Sequence, residues 1–269
     1  MIIVADIGGT HMRIAAADTS DMFEEPVVVD TPAAFEEGVE AFAAAVSRVA
    51  KGRAITKIVV GVAGVLAHDR LMLLISPHLP EWCGHDIASS FSTACGAPVE
   101  VENDVVLGAL GEAHHGAGKG ASIIAYIAVG TGVGGARVCN GIVEPAAFGF
   151  EIGHQLLGTG AGAPEWESLI SGTGLENRYN TPAAEITDPA VWERCADDFA
   201  YGLYNTLLHW SPERVVLGGS AFTGAAAIPL ERVRTTLGAI NQYLPELPEL
   251  CLASLDYPGL SGALVRSIS

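Results

Sequence analysis

Two glycine-rich turns, Asp6-Ile7-Gly8-Gly9-Thr10 and Gly130-Thr131-Gly132-Val133-Gly134-Gly135, each follow an apolar β-rich run, and Asn103-Asp104 lies between them. Glycine at such a turn lets backbone N–H groups approach phosphate oxygens with no Cβ in the way, and Thr10 and Thr131 add hydroxyl donors. A third pair, Gly218-Gly219, ends the strand-like run Arg214-Val-Val-Leu217. Three strand-to-glycine turns in one chain point to a nucleotide or another polyphosphate, and with the Asn-Asp pair they read as a phosphate clamp closing over an acid.

Gly130, Gly132 and Gly135 also satisfy the G-x-G-x-x-G dinucleotide pattern, with Glu151 downstream where a ribose contact would be sought. That fingerprint must open a helix, because the pyrophosphate rests on the helix N-terminus. Here Ala136-Arg-Val-Cys-Asn-Gly-Ile-Val143 follows, β-branched residues around Asn140-Gly141, a strong hairpin signal. Strand, turn, strand and hairpin make a β-meander, so the phosphate-hairpin reading is preferred to a nicotinamide site. His114-His115 with Glu112 invites a metal reading, but adjacent histidines on a helix point apart, and packing or surface is the expectation. A lone aspartate after a strand is ordinarily a helix cap, so Asp104 needs more than its position to count as catalytic.

Elements must hold these groups. Ile2 to Asp6 and Met12 to Ala17 read as a hairpin around the first turn, with Val27 to Asp30 as a third strand. Ala33 to Ala50 reads as a helix, Phe35, Val39, Phe42, Val46 and Val49 recurring on one face and Glu36, Glu37 and Glu40 lying outside, with Asp30-Thr31-Pro32 as its cap-and-proline start. Lys57 to Val62 is an expected buried strand leading to Gly61 and Gly64, and Pro98 to Glu102 another that delivers Asn103-Asp104. Val105 to His115, with Gly108 and Gly111 inside it, reads as a helix packed closely on a neighbour. Ser122 to Val129 and Gly134 to Val138 read as strands joined at the second turn, Val191 to Leu208 as a helix and Val215 to Leu217 as a strand. Trp82 and Trp166 are expected in core or pocket walls. The predicted architecture is α/β and two-lobed, each lobe a β-meander plus α/β units with a cleft between. The N-terminal lobe is expected over 1–106 and the C-terminal lobe over 107–258, with a C-terminal helix at about 259–269 packing back on the first.

A chain of 269 residues with 49% hydrophobic content can bury a full core. Its formal net charge of −17 argues against nucleic acid, whose affinity comes from Lys and Arg neutralising phosphates, and against anionic membranes; the ordinary reading of such charge is solubility. Met1-Ile-Ile-Val-Ala-Asp6 has no basic segment, and its apolar run is too short for a signal peptide or a span, so a cytoplasmic protein is expected. Cys83, Cys95, Cys139, Cys195 and Cys251 form no C-x-x-C pair, which fits a reducing compartment, small core residues and no structural zinc.

Asp6-Ile-Gly-Gly-Thr10, Glu102-Asn-Asp104, Gly130-Thr-Gly-Val-Gly-Gly135, Glu151-Ile-Gly-His154 and Leu217-Gly-Gly-Ser220 occur in an order that resembles the ROK group of sugar kinases and repressors, within the actin-like ATPase superfamily with its ribonuclease H-like fold. The resemblance spans nearly the whole chain. It implies that Asp104 is the base that takes the proton from a sugar hydroxyl attacking the γ-phosphate of ATP, with Asn103 holding another hydroxyl. A hydroxyl is a poor nucleophile without a positioned base, and phosphoryl transfer is otherwise positioning and charge neutralisation. It further implies that Asp6 organises Mg²⁺, directly or through water, beside Gly8, Gly9 and Thr10. Gly130, Thr131, Gly132 and Gly134 match the loop for the γ- and β-phosphates, and Gly218 and Gly219 the adenosine-side turn. Glu151, His154 and Glu167 match hexose-binding positions. Gly64, in Gly61-Val-Ala-Gly64, matches a turn that usually reads Gly-x-Pro-Gly, and Ala63 in place of proline is expected to loosen it. His78 stands where the similar Pro-Asn-Leu-Pro-x-Trp segment carries asparagine, near the sugar.

The largest departure lies between His154 and Glu167. Many members carry a cysteine-rich zinc-binding stretch there, whereas this chain reads Gln155-Leu-Leu-Gly-Thr-Gly-Ala-Gly-Ala-Pro-Glu-Trp166. Structural zinc needs about four ligands, so no zinc is expected; glycine and proline would shape the loop unaided, leaving His154 to the sugar. The favoured function is an ATP-dependent hexokinase or glucokinase type of enzyme, with lobes closing over sugar and nucleotide. The alternatives are a non-catalytic sugar sensor of the same family, disfavoured because strand one begins at Ile2 with no helix-turn-helix ahead of it, and an N-acetylhexosamine kinase acting on N-acetylmannosamine or N-acetylglucosamine. A polyphosphate donor in place of ATP is a further reading. The sugar is left open, as is oligomeric state, a homodimer being common in the family.

Overall fold

The computed structural model describes residues 1–19, 22–224 and 227–268. Strand β1 (Ile2–Ile7) runs through the Gly8-Gly9 turn into β2 (His11–Ala17), and the two pair antiparallel from Ile2↔Ala17 to Ile7↔Met12. Strand β3 (Val27–Asp30) adds antiparallel to β2. The alternation of β1 is read by two different layers. Ile3, Ala5 and Ile7 face one core and Val4 faces another, which is why the run is apolar throughout rather than alternating with polar residues.

Helix α1 (Phe35–Ala50) buries Phe42, Val46 and Val49, as the periodicity predicts. Its start differs from expectation: the N-cap is Ala34, with no side-chain cap, because Thr31 is engaged elsewhere. Strand β4 (Lys57–Val62) lies parallel to β1. It is followed by a two-stranded ribbon of β5 (Val65–Leu66) and β6 (Leu73–Ile75). Helix α2 (Ile87–Cys95) is capped by Asp86, whose Oδ1 accepts from Ser89 N at 2.8 Å. Strand β7 (Val99–Asn103) pairs parallel with β4, giving the order β3-β2-β1-β4-β7, and leads straight into α3 (Asp104–His114).

The plan then repeats. Strand β8 (Ile123–Val129) turns through the second glycine loop into antiparallel β9 (Val133–Cys139). Asn140 and Gly141 follow at φ 50° and 78°, the left-handed pair of a type I′ turn, and lead into the short β10 (Ile142–Val143). The helices α4 (Trp166–Ile170), α5 (Gly172–Tyr179) and α6 (Pro189–Trp210) precede β11 (Arg214–Gly218), which is parallel to β8. Then come α7 (Ser220–Thr223), α8 (Leu230–Ile240) and β12 (Glu249–Leu252), parallel to β11. Ala125, Ile127 and Val129 of β8 pack with Phe199, Leu203 and Leu207 of α6. The chain closes with α9 (Pro258–Ser267).

The described residues gather into two units, one of Met1–Gly116, Gly141–Gly149 and Leu255–Ser269, the other of Ala117–Asn140 and Phe150–Ser254. Each carries an antiparallel meander extended by parallel α/β strands, the expected actin-like ATPase layout. The expected boundary at 106 falls inside α3, which stays whole in the first unit. The reason is its packing on α9: a Cβ on Gly262 would overlap Leu107 O, one on Gly111 would overlap Pro258 O, and Leu260, Ala263 and Leu264 fill the same cluster as Leu107 and Leu110. The close neighbour expected for α3 is therefore α9. Of the helix expected at 259–269, Ser269 lies outside the described residues.

Candidate active site

In the first unit, the Gly8-Gly9-Thr10 turn is closed by Gly8 N donating to His11 O at 3.0 Å. It is then pinned from outside by Thr31, whose Oγ1 donates to Gly8 O at 2.8 Å and whose N donates to Thr10 O at 2.9 Å. Thr31 was expected to start a helix; its hydroxyl serves the turn instead. A Cβ on Gly9 would lie 2.7 Å from the Cβ of His78, so only glycine lets the Ser76-Pro-His78 segment lie against the turn. That brings two of the expected site residues together.

Asp6 sits on β1 just before the turn. Its side chain is a quarter exposed, yet the protein packed around it raises its carboxyl above the usual aspartate range, desolvation outweighing the opposing charge of Arg13 at 4.0 Å. Among the described residues no three His, Cys, Asp or Glu side chains converge as a metal cage. Magnesium keeps several waters and asks for one or two carboxylates, and a desolvated carboxyl with one distant cation fits that role.

Gly64 takes φ +129°, and a Cβ there would lie 2.5 Å from Ile75 O and 2.8 Å from the Cβ of Ser76. The turn is not loose, although Ala63 replaces the usual proline. Ser76, buried, donates from Oγ to Ala63 O at 2.8 Å and accepts from Leu79 N at 3.2 Å. Asn103 Nδ2 donates to Gly64 O at 3.0 Å, and its Oδ1 caps α3 by accepting from Val106 N at 3.1 Å. By valence this leaves one amide hydrogen of Asn103 for a ligand. Asp104 is the first residue of α3, its Oδ1 accepting from Val105 N at 2.9 Å, a position where negative charge is favoured by the helix dipole. Beneath it, buried Glu102 accepts from Asn103 N at 2.9 Å and has Arg70 Nε at 3.5 Å. Residue spacing signalled neither Arg70 nor the supporting use of Glu102.

In the second unit, the glycine loop is a backbone knot. Gly130 N donates to Gly132 O at 2.9 Å, Gly172 N to Gly130 O at 2.7 Å and Thr173 N to Thr131 O at 3.2 Å. Gly134 belongs to β9, opposite Ala128. Gly219, at φ +84°, lies where a Cβ would sit 2.6 Å from the carbonyl carbon of Val129, and a Cβ on Gly130 would be 3.9 Å from Ser220 Oγ. The second and third turns are therefore neighbours. Gly218 is pressed on Tyr126, 2.7 Å from its hydroxyl to the position of a Cβ.

Glu167 has a use that the resemblance did not imply. Its Oε2 accepts from Val133 N at 2.6 Å, and a Cβ on Gly132 would lie 2.7 Å from the same oxygen, so the carboxylate braces the phosphate-type loop. Glu151 is raised above the usual glutamate range, chiefly by burial, with the Glu167 charge adding and His154 opposing. His154 is raised too, first through its hydrogen bond to Glu165, with Glu167 and Glu151 adding and burial opposing. Its Nδ1 lies 2.8 Å from Glu165 Oε2. The 155–166 loop is thus not shaped by glycine and proline unaided, and His154 is not left to a ligand alone. Only the presence of Glu165 within the cysteine-free stretch could have signalled this.

Among the described residues no helix is long and apolar enough to cross a membrane. The profile described as ROK family matches residues 2–265. A glucokinase of Streptomyces coelicolor is 31% identical over 196 residues, which are 70% of this chain and 61% of that protein. A fructokinase of Zymomonas mobilis is 31% identical over 182 residues, 61% of this chain and 59% of that one. This chain therefore aligns with about three-fifths of the length of either relative. The crystal structure of a ROK hexokinase from Thermus thermophilus superposes with a TM-score of 0.79 at 28% identity, covering 98% of this chain and 96% of the other. With the five motifs standing in the strands, turns and helix starts described above, and a profile match from the second residue to the last helix, this chain belongs to the ROK family.

Proposed function

We propose that the protein is an ATP-dependent sugar kinase that transfers the γ-phosphoryl group of ATP to a hexose hydroxyl, glucose or a related hexose first. The observation that carries this reading is the Asn103-Asp104 pair at the start of α3, fixed by the Asn103 cap and by the hydrogen bond to Gly64 O. A carboxylate so fixed can accept the proton of an attacking hydroxyl, which contributes about 10²–10⁴-fold in rate. Relatives named for glucose and for fructose support a hexose.

In this reading Asp104 is the general base, and the remaining amide hydrogen of Asn103 donates to a second hydroxyl. Gly64, His78, Glu151, His154 and Glu167 are the sugar-binding residues. The turns Gly8-Gly9-Thr10 and Gly130-Thr131-Gly132, with Gly134, face phosphate oxygens, Gly8 N and Gly130 N being engaged in closing the turns themselves, and Gly218 and Gly219 face the adenosine side. Magnesium, when bound near Asp6, neutralises phosphate charge.

The test is a coupled ADP-release assay with ATP and Mg²⁺ over a panel of hexoses and N-acetylhexosamines, with Asp104→Asn alongside and a polyphosphate arm replacing ATP. Sugar-dependent turnover that disappears in the variant supports the kinase and names its sugar. Sugar binding without turnover in either protein overturns it in favour of a sensor.

A further inference from the structure

We propose that Glu165 is a positioning residue for His154: its carboxylate accepts the Nδ1 hydrogen, so that the imidazole presents Nε2 to the sugar. The inference rests on the reading that Glu151, His154 and Glu167 bind sugar. It deepens that reading by naming the group that sets the histidine in a chain without the cysteines of the zinc-binding stretch.

The backbone around Glu165 is fixed on both sides. Leu156 and Glu165 form an antiparallel bridge, Leu157 N donates to Pro164 O at 2.9 Å and Trp166 N to Gln155 O at 2.9 Å. These bonds close the loop at its base. On one flank Trp166 is fully buried, and a Cβ on Gly202 of α6 would sit 2.5 Å from its Nε1. Ser168 N donates to Glu165 O at 3.1 Å, and Ser168 Oγ to the same oxygen at 2.7 Å. On the other flank Gln155 accepts from Asn205 Nδ2 at 3.1 Å and donates to Ile152 O at 3.0 Å. Glu165 thus projects from a rigid base toward a histidine at the end of the short 3-10 turn Ile152–His154. The acceptor oxygen fixes which ring nitrogen carries the inward hydrogen and which faces outward.

This pair is half exposed, 49% for His154 and 48% for Glu165. Exposed ion pairs contribute about 0–1 kcal/mol to stability, so a purely structural role would be small, and the expected effect of losing Glu165 is on sugar recognition. Two measurements test it. Histidine ¹⁵N spectra, with His154 assigned through His154→Asn, are compared in the full chain, Glu165→Ala and Glu165→Gln. The carboxylate clasp predicts a changed Nδ1 signal in Glu165→Ala. Kinetics over the sugar panel should then show sugar KM raised about tenfold or more in Glu165→Ala with ATP KM within about twofold. Glu165→Gln, whose amide oxygen still accepts, should recover most of that loss. An unchanged His154 spectrum in Glu165→Ala, an unchanged sugar KM, or equal losses in Ala and Gln each overturn the proposal. Absence of turnover for every sugar in the unsubstituted protein defeats the kinase reading instead, and the spectra still decide the clasp.

Discussion

Gly219→Ala tests whether the third glycine turn is held by its neighbour or only by its own backbone. Gly219 sits at φ 84° and ψ 164°, a region that only glycine enters readily, and a side chain there costs of order 1–3 kcal/mol. The added Cβ would also lie 2.6 Å from C and 2.8 Å from N of Val129 and closer still to its O. Those atoms belong to β8, which is paired on one side with β9 and on the other with β11, so they cannot swing aside. Forced repacking adds about 1–3 kcal/mol. The sum, about 2–6 kcal/mol, corresponds to a melting temperature at least about 4 °C lower, taking roughly 2–4 °C per kcal/mol. Gly84 is the control, because it has φ +85° but nothing within 4 Å of a Cβ. Gly84→Ala carries the backbone cost alone and should melt well above Gly219→Ala by circular dichroism. Because Val129 leads into Gly130, Gly219→Ala should also raise ATP KM more than sugar KM. Equal melting of the two variants, or Gly219→Ala within about 2 °C of the unsubstituted protein, would refute the reasoning.

Asp104→Asn keeps size and the oxygen that accepts from Val105 N; the helix-dipole interaction it gives up is about 0.3–1 kcal/mol, while kcat should fall by about 10²–10⁴. Glu100 is held below the usual glutamate range because hydrogen bonds from Lys57 and Arg266 outweigh the opposing effect of burial. Its stabilisation is present above the ordinary glutamate pKa and is lost as pH falls through the lower folded value. Glu100→Gln should therefore lower the melting temperature at neutral pH and flatten its decline in acid. For Asp6 the sign is reversed, since the folded protein favours its protonated form. Asp6→Asn should raise the melting temperature of the unliganded protein at pH 7, the gain fading as pH falls through the raised folded value and gone below the ordinary aspartate range, while Mg²⁺-dependent turnover is lost.

The strands and glycine turns were legible because their signals are local: alternation or continuous apolar runs, glycine where φ or close approach demands it, Asn-Gly at the hairpin. The α3 glycines signalled a close helix neighbour without identifying it, since α9 lies about 150 residues further along the chain. Helix α2 had a readable cap in Asp86 and a left-handed Gly96 at its end, but its nine residues are too few for the periodicity to stand out. Strand β5 is two residues long and α4 five, below what any pattern can mark. The start of α1 was misread because Thr31 has the chemistry of a cap, and its choice between a helix and Gly8 O, 23 residues away, is made by tertiary structure. The same reason hid the braces of the site. Ser76 on Ala63, Arg70 on Glu102 and Glu165 on His154 are side-chain contacts between distant or irregular segments, and sequence spacing carries no signal for them.

Carboxyl groups in this chain divide by what answers their charge. Glu24 and Asp197 are held low by hydrogen bonds from Lys51 and Arg53 in one case and from Arg232 and Thr236 in the other. Asp6 and Glu151 are raised by burial, and both occupy motif positions. A raised carboxyl is not by itself the mark of a site. Asp198 on α6 is raised as well, with Arg178 at 3.9 Å, and belongs to no motif. What separates Asp6 is its place at the end of β1, two residues ahead of Gly8, where in the proposed function a cation would supply the positive charge that the fold withholds. The comparison is therefore between Asp6→Asn and Asp198→Asn. Relief of desolvation should stabilise both near neutral pH, and only the former should abolish phosphoryl transfer. Equal activity in the two variants would mean that burial of Asp6 is an accident of packing, and that the first glycine turn binds its phosphates without a metal anchored there.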